Sequence, residues 1–299
     1  MRDKYSDIAI IGAGPAGIAA ALQFTRYNIL PVVFEKNIIG GLLNNARKVE
    51  NYPGFPKGIA GTNLVDLFQK QLEYNKMKIL KEKIKEIDYS EGLFHFFSDS
   101  GSFKSKYCII ATGTFPKAYT LFTGKEDLLN KLLFYEVYPL RNDKNQRIVV
   151  VGAGDAAFDY ALTLSSNNQV YLINRENKPR CNEKLKSEVF NTQSIKYEPK
   201  TIVQEINKIN EDLYLNCISE KGNFKIVADY CVAAVGREPV RSIIGSSLAK
   251  YESSLIQTKK LFEIGDFSNG RFRQASIAVG DGVRAAMEIF EDMIKEGNA

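Results

Sequence analysis

One pattern occurs twice in this chain. Asp7-Ile-Ala-Ile-Ile-Gly12 is an apolar run that enters Gly12-x-Gly14-x-x-Gly17, followed by an Ala-rich stretch to about Tyr27. Arg147-Ile-Val-Val-Val-Gly152 enters Gly152-x-Gly154-x-x-Ala157, followed by a second such stretch to about Ser165. Each copy reads as strand, tight turn and helix. A second apolar run follows in each, Leu30 to Glu35 and Val170 to Arg175. Gly12 corresponds to Gly152 and Glu35 to Arg175 at one offset, 140 positions.

The repeat continues past these units. Leu93 to Lys104 alternates around Ser100-Gly101, and Leu213 to Ile226 alternates around Lys221-Gly222, as antiparallel strands joined by glycine turns do. Each copy closes on an apolar strand, Tyr107 to Gly113 and Tyr230 to Gly236. Alternating strands and helices need a parallel sheet, so the expected class is α/β. Two copies predict two Rossmann-like doubly wound domains, each with a three-stranded antiparallel insertion. The tail, Leu261 to Ile294, reads as a strand, a loop at Gly265-Asp266 and a helix from about Gln274. It is too short for a third domain and is expected to return to the first. This predicts one domain from 1–116 plus 243–299 and another from 117–242, with connections near Thr114 to Tyr119 and Arg241 to Gly245.

A dinucleotide pyrophosphate needs backbone N–H donors at close range, which a glycine turn and a helix N-terminus supply. The first motif has the full glycine spacing, and Glu35 stands at the end of the next strand, where a carboxylate accepts from ribose hydroxyls. In the second motif Ala157 still allows close helix packing. Arg175 replaces the acid there, and a cation can hold a 2′-phosphate. Glu176 opposes that reading and Arg180 supports it, so NADPH is only slightly favoured over NADH.

Other chemistries have little to stand on. His95 is the one histidine, and Cys108, Cys181, Cys217 and Cys231 form neither a CxxC nor a metal-ligand spacing with it. The sparse cysteines suit a reducing, cytoplasmic setting. The net charge of +5 comes from 40 basic and 35 acidic residues with no dense basic block, so nucleic acid is not an expected partner. An acidic protein partner is compatible with that balance. The apolar run inside Met1 to Gly12 is broken by glycine and flows into the motif, so it reads as a buried strand rather than a signal peptide. No run reaches the ~18 apolar residues of a membrane span.

The chain resembles the low-molecular-weight thioredoxin reductase family, which includes thioredoxin-reductase-like ferredoxin–NADP reductases. The resemblance lies in Gly12-Ala-Gly-Pro-Ala-Gly17, Gly40-Gly41-Leu42, Val49-Glu-Asn-Tyr-Pro-Gly-Phe-Pro56, Ala111-Thr-Gly113, Gly152-Ala-Gly-Asp-Ala-Ala157, Val235-Gly236-Arg237-Glu-Pro239, Gly265-Asp266 and Arg273-Gln-Ala275. It implies FAD in the first site, held by Gly12, Gly14, Pro15, Ala16, Gly17, Glu35, Lys36, Gly41, Leu42, Asn51, Ile84, Ala111, Thr112, Gly113, Gly265, Asp266, Arg273, Gln274 and Ala275. Glu35 would bind the adenosine ribose. Asn51 would sit near the isoalloxazine ring and Asp266 near the ribityl and pyrophosphate region. Gln274 and Ala275 would offer backbone N–H groups to the N1/O2 end of the flavin. It implies NAD(P)H at Gly152, Gly154, Asp155, Ala156, Arg175, Arg180 and Gly236. It also implies a homodimer and domains that rotate about the two connections.

The departures carry equal weight. The family's redox CxxC lies just before the second glycine motif, and Leu133-Phe-Tyr-Glu-Val-Tyr-Pro-Leu140 stands there without cysteine. The family's His-Arg-Arg-x-x-x-Arg reads Asn174-Arg175-Glu176-x-x-x-Arg180. Cys108 and Cys231 fall on expected buried strands. The expected activity is hydride transfer from NAD(P)H to FAD, then electron transfer to an external acceptor such as a ferredoxin, a flavodoxin or a small molecule. No general acid, base or nucleophile is evident, so no catalytic side chain is assigned. Two alternatives stay open. One is a thioredoxin-like disulfide reductase using partner or non-standard thiols. The other is a non-enzymatic flavin-binding redox sensor.

Overall fold

The structure is a computed structural model and describes residues 4–297. Met1 to Asp3, included in the N-terminal strand reading, lie outside the described residues. Contacts divide the chain into two units. One holds the residues up to Asn44, Lys48–Phe115 and those from Glu238 onward; the other holds Asn45–Arg47 and Pro116–Arg237.

The first unit begins with β1 (Lys4–Ile11), α1 (Pro15–Thr25) and β2 (Val32–Glu35). It continues through α2 (Gly61–Tyr74), β3 (Ile79–Lys81), β4 (Glu86–Ser90), β5 (Leu93–Ser98), β6 (Gly101–Ile110) and β7 (Thr114–Pro116). The second unit holds β8 (Leu133–Phe134), β9 (Arg147–Val151), α3 (Asp155–Leu164), β10 (Gln169–Ile173), α4 (Glu183–Phe190) and β11 (Ile195–Glu198). Then come β12 (Ile202–Ile209), β13 (Asp212–Ser219), β14 (Gly222–Ala228) and β15 (Tyr230–Ala233). The chain ends with β16 (Arg237–Pro239), α5 (Ser246–Gln257), β17 (Leu261–Glu263) and α6 (Ala275–Lys295).

In the first unit the sheet order is β3-β2-β1-β6-β5-β4, with β17 also paired to β6. The unbroken apolar run of β1 reflects burial on both faces: Ile8, Ala9 and Ile10 are at most 1% exposed. β6 pairs with three strands. It is parallel to β1 from Phe103 to Ile110, while its first half is also antiparallel to β5 and its end, Cys108 to Ile110, is also parallel to β17, with Ile110 opposite Ile11 and Glu263. The antiparallel strands therefore grow out of the main sheet.

The second unit solves the same problem differently. A five-stranded parallel sheet, β11-β10-β9-β15-β8, stands apart from a three-stranded meander, β12-β13-β14. Asp229 interrupts the strand that is continuous in the first unit. Its carboxylate accepts from the Arg147 backbone N–H at 2.6 Å and pairs with the Arg147 guanidinium, which also reaches Asp212. These bonds hold the Asp229 carboxyl below its ordinary value and mark where β14 stops and β15 starts.

The tail packs within the first unit. β17 pairs with β6, and α6 packs along α1. A Cβ on Gly282 would lie 2.1 Å from the Ala16 carbonyl oxygen and 2.9 Å from the Ala20 nitrogen, so the two backbones touch. Tyr27, just past the end of α1, stacks on Phe290 of α6 at 3.8 Å.

Two parts of the sequence reading need correction. The change of unit falls between Arg237 and Glu238 rather than at residue 242, because Arg241 and Ile243 already pack with the first unit. Asn45–Arg47 group with the second unit, because Asn45 and Arg47 bond Glu136, Asp159 and Glu188 there. Helices α2, α4 and α5 were not anticipated. In α5 only Leu248 and Leu255 are buried, and its start is held by Asp88, whose carboxylate accepts from the Ser247 N–H and hydroxyl.

Replacing Gly282 by Ala should cost about 1–3 kcal/mol by overpacking the helix contact. Gly280→Ala in the same helix, where the new methyl meets nothing within 4 Å, should gain about 0.5–1 kcal/mol. Urea denaturation of the three proteins measures both; equal midpoints would contradict the described packing.

Candidate cofactor-binding sites

The first site is built around the end of β1. Gly12 turns with φ +106° and donates its N–H to the Phe34 carbonyl at 2.8 Å. A Cβ there would lie 2.4 Å from the Ala111 oxygen, and one on Gly17 would lie 1.9 Å from the Gly12 oxygen. Backbone against backbone leaves room for hydrogen only. Gly14 is the opposite case: it caps α1 without a side-chain bond, and a Cβ on it meets nothing within 4 Å. The first turn of α1 thus starts without a side-chain cap, behind Pro15, which has no N–H to satisfy.

Four other segments converge on this turn. Glu35 accepts from the Ala13 N–H and the Asn37 N–H, both at 2.8 Å, which fixes its carboxylate beside the turn; Lys36 next to it is exposed. Gly40 donates to the Ala13 carbonyl at 2.7 Å and brings Gly41 and half-buried Leu42 alongside, with Gly41 close over Gly14. Ala111 donates to the Ile11 carbonyl at 2.9 Å, leading into Thr112 and Gly113. The Thr112 hydroxyl is buried without a hydrogen-bond partner. Gly265 packs on Ala16 and donates to the Asp281 carboxylate at 3.2 Å, which sets the loop carrying Asp266 and leading to Arg273. Gln274 caps α6 without a side-chain cap bond, Ala275 is its first residue, and the Gln274 side-chain oxygen accepts from Asn51 at 2.8 Å.

One assigned residue stands elsewhere. Ile84 is 5% exposed among Phe34, Phe94 and Phe96, so its side chain is part of the core and only its backbone is left for a ligand. Asp281 was not found by sequence reasoning. It lies in mid-helix, and no local spacing signals its bond to the loop.

The second site repeats the turn geometry of the first. Gly152 donates to the Ile173 carbonyl at 3.0 Å, and a Cβ on it would lie 2.6 Å from the Ala234 oxygen. Gly154 caps α3 with open space above it, Ala157 is fully buried, and Asp155 and Ala156 are exposed in the first turn. Arg180 donates its backbone N–H to the Ala153 carbonyl at 2.6 Å, as Gly40 does to Ala13. Gly236 follows β15 and accepts from the Lys117 N–H at 2.9 Å. Arg175 lies past the end of β10 with its side chain 75% exposed, unlike Glu35, which is bonded to its own turn.

Both sites therefore fit a dinucleotide on the chain's own evidence: an uncapped helix start, an open glycine and, in the first, an orphaned buried hydroxyl. The pattern of the pyridine nucleotide-disulphide oxidoreductase family matches residues 6–282. The chain belongs to this family. A thioredoxin reductase of Chlamydia trachomatis serovar D is 30% identical over 313 residues, covering 95% of this chain and 97% of its own. Among solved structures, Lactococcus lactis thioredoxin reductase matches with a TM-score of 0.84 at 25% identity, over 97% of this chain and 99% of its own. T. acidophilum thioredoxin reductase matches with a TM-score of 0.83 at 26% identity, over 98% and 100%. The chain is thioredoxin reductase-like, an oxidoreductase whose cofactors are FAD and NAD(P)H.

Against that membership, the thiols of this pyridine nucleotide-disulphide oxidoreductase stand out. All four cysteines are free; Cys108, Cys217 and Cys231 are at most 2% exposed, and burial pushes each thiol well up. Cys181 is half-buried, and burial followed by the Asp155 charge raises it too. The stretch Leu133 to Leu140 is held by other means. Leu133, Val137 and Leu140 are buried. Asn45 accepts from the Val137 and Tyr138 N–H groups at 3.1 and 2.9 Å, and Glu136 takes Arg237 at 2.6 Å and Asn45 at 2.5 Å. Among the described residues, no helix is long and apolar enough to cross a membrane.

In the first unit Glu263 ends β17, two residues before Gly265. Burial pushes its carboxyl up to about 7, helped by the adjoining Glu252 carboxyl, while Arg241 at 3.5 Å pulls the other way. Because the folded state holds this proton more tightly than the unfolded chain, the contribution is full below about pH 4.5 and is lost as pH rises through about 7. Glu263→Gln should therefore flatten the fall in stability between about pH 5 and 8; parallel thermal melts check it, and identical slopes in both proteins would refute the assignment. For the sites themselves, Glu35→Ala should lose more FAD on purification than Arg175→Ala. Flavin absorbance per protein gives the answer, and comparable content in both would count against the assignment.

Proposed function

We propose that this chain is an NAD(P)H oxidoreductase that delivers electrons to an external acceptor without a dithiol of its own. The acceptor that suits it best is a small electron-transfer protein such as a ferredoxin or flavodoxin. One observation carries the reading: no cysteine stands in Leu133 to Leu140, and the thiols present elsewhere are buried or raised. When bound, the two cofactors supply hydride transfer from nicotinamide to flavin.

In this reading the protein binds, orients and stabilises charge. The uncapped turns at Gly14 and Gly154 take the two pyrophosphates. Glu35 accepts a ribose hydroxyl. The N–H groups of Gln274 and Ala275, at the positive end of the 21-residue helix α6, would stabilise the negative charge that a bound flavin gains on reduction. Tyr138, 41% exposed in the stretch that replaces the dithiol, marks the acceptor surface. The mild positive charge favours an acidic partner. A cytoplasmic homodimer belongs to the same proposal.

The names of the relatives favour a second reading, disulfide reduction through thiols of the partner. One relative, from Mycobacterium leprae, is a bifunctional thioredoxin reductase/thioredoxin, 27% identical over 301 residues, of whose length the match covers 66%. Anaerobic mixing with NADH and with NADPH should bleach the flavin. Ferredoxin or flavodoxin should then restore its colour at least tenfold faster than thioredoxin, and prior alkylation of the protein should leave that rate unchanged. Faster reoxidation by thioredoxin would select the second reading, and a flavin that neither nucleotide bleaches would end both.

A further inference from the structure

The second site departs from the first at the residues that read the adenosine ribose. At the end of a Rossmann strand a carboxylate selects the free 2′-hydroxyl, while an arginine accommodates a 2′-phosphate. This site offers both within six residues, Arg175, Glu176 and Arg180. Which one governs is decided by what each side chain is doing.

The Glu176 backbone is anchored on both sides, and its side chain is 42% exposed. Its backbone N–H donates to the Asn174 Oδ1 at 2.9 Å, and its carbonyl accepts from the Lys200 N–H at 3.2 Å. Asn174 is itself 1% exposed and anchored, donating to the Lys178 carbonyl at 3.3 Å and the Tyr197 hydroxyl at 3.0 Å. The two arginines are long, and their side chains are 75% and 67% exposed. The Glu176 Oε1 atom lies 3.3 Å from the Arg180 guanidinium and 4.0 Å from the Arg175 Nε. Arg180 cannot drift off, because its backbone is bonded to Ala153 in the glycine turn. One carboxylate therefore stands against both cations at the mouth of the turn.

Solvent-exposed ion pairs are worth only about 0–1 kcal/mol each, so pairing alone would not keep the arginines from a phosphate. The stronger effect is on the phosphate itself. A dianion drawn in by Arg175 and Arg180 must come to rest beside the Glu176 carboxylate, and the repulsion offsets the attraction. A ribose hydroxyl meets no such penalty and finds an acceptor.

We propose that Glu176 sets the nucleotide specificity of the second site, cancelling the advantage that Arg175 and Arg180 give a 2′-phosphate, so that NADH serves as well as NADPH. This rests on the reading of the second site as the nucleotide site. The test is calorimetric titration of the oxidised holoprotein with NAD⁺ and with NADP⁺, neither of which reduces or oxidises it. The wild-type dissociation constants should agree within about threefold. Glu176→Gln keeps both backbone bonds and should tighten NADP⁺ about tenfold relative to NAD⁺, the size expected for removing one charge at contact with a phosphate. Adding Arg180→Ala to Glu176→Gln should abolish that gain. An unchanged ratio in Glu176→Gln, or a wild-type preference for NADP⁺ of tenfold or more, overturns the inference while leaving the site in place. Failure of both nucleotides to bind overturns the site as well.

Discussion

Two backbone contacts organise this molecule: the glycine turn after β1 against the carbonyl of Ala111, and the turn after β9 against the carbonyl of Ala234. In each, two parallel strands end side by side, and the chain reverses into a helix with no room for even one methyl group. That approach aims the uncapped N-termini of α1 and α3 at the space beyond the strand ends. The same crowding that forbids a side chain at Gly12 and Gly152 leaves Gly14 and Gly154 open. A phosphate-sized anion is what such an arrangement can accept.

Around the first turn, distant pieces of chain are tied down by a small number of bonds. Glu35, Gly40 and Ala111 each bond a residue of the segment Ile11 to Ala13. The last piece arrives from the C-terminal tail, and the small residues Ala16, Ala20 and Gly282 let α6 lie directly on α1. Asp281, one residue before Gly282, then holds the Gly265 loop. Packing of the two helices and placement of the Gly265 loop are thus one structural event.

The segment that carries the family's dithiol has become a folded element with different support. Apolar Leu133, Val137 and Leu140 point into the core, and the polar atoms between them are satisfied by Asn45 and Glu136 with Arg237. Such a network rigidifies the stretch, and no thiol stands within it.

By itself the sequence determined the things that depend on neighbours along the chain. Period, glycine spacing and the 140-residue offset imply two βαβ units, the glycine turns, Glu35 beside its turn and buried positions for Cys108 and Cys231. The absence of a CxxC is likewise a fact of sequence. What only tertiary structure decided depends on contacts between remote residues. Ile84 went to the core because Phe34, Phe94 and Phe96 surround it. The domain boundary moved to Arg237 because Ile243 packs with the first unit. Helix α5, with two buried leucines, needed Asp88 from another strand to hold its start. The standing of Glu176 between two arginines turned on one oxygen atom, 3.3 Å from one and 4.0 Å from the other, a distance that no spacing in a sequence records.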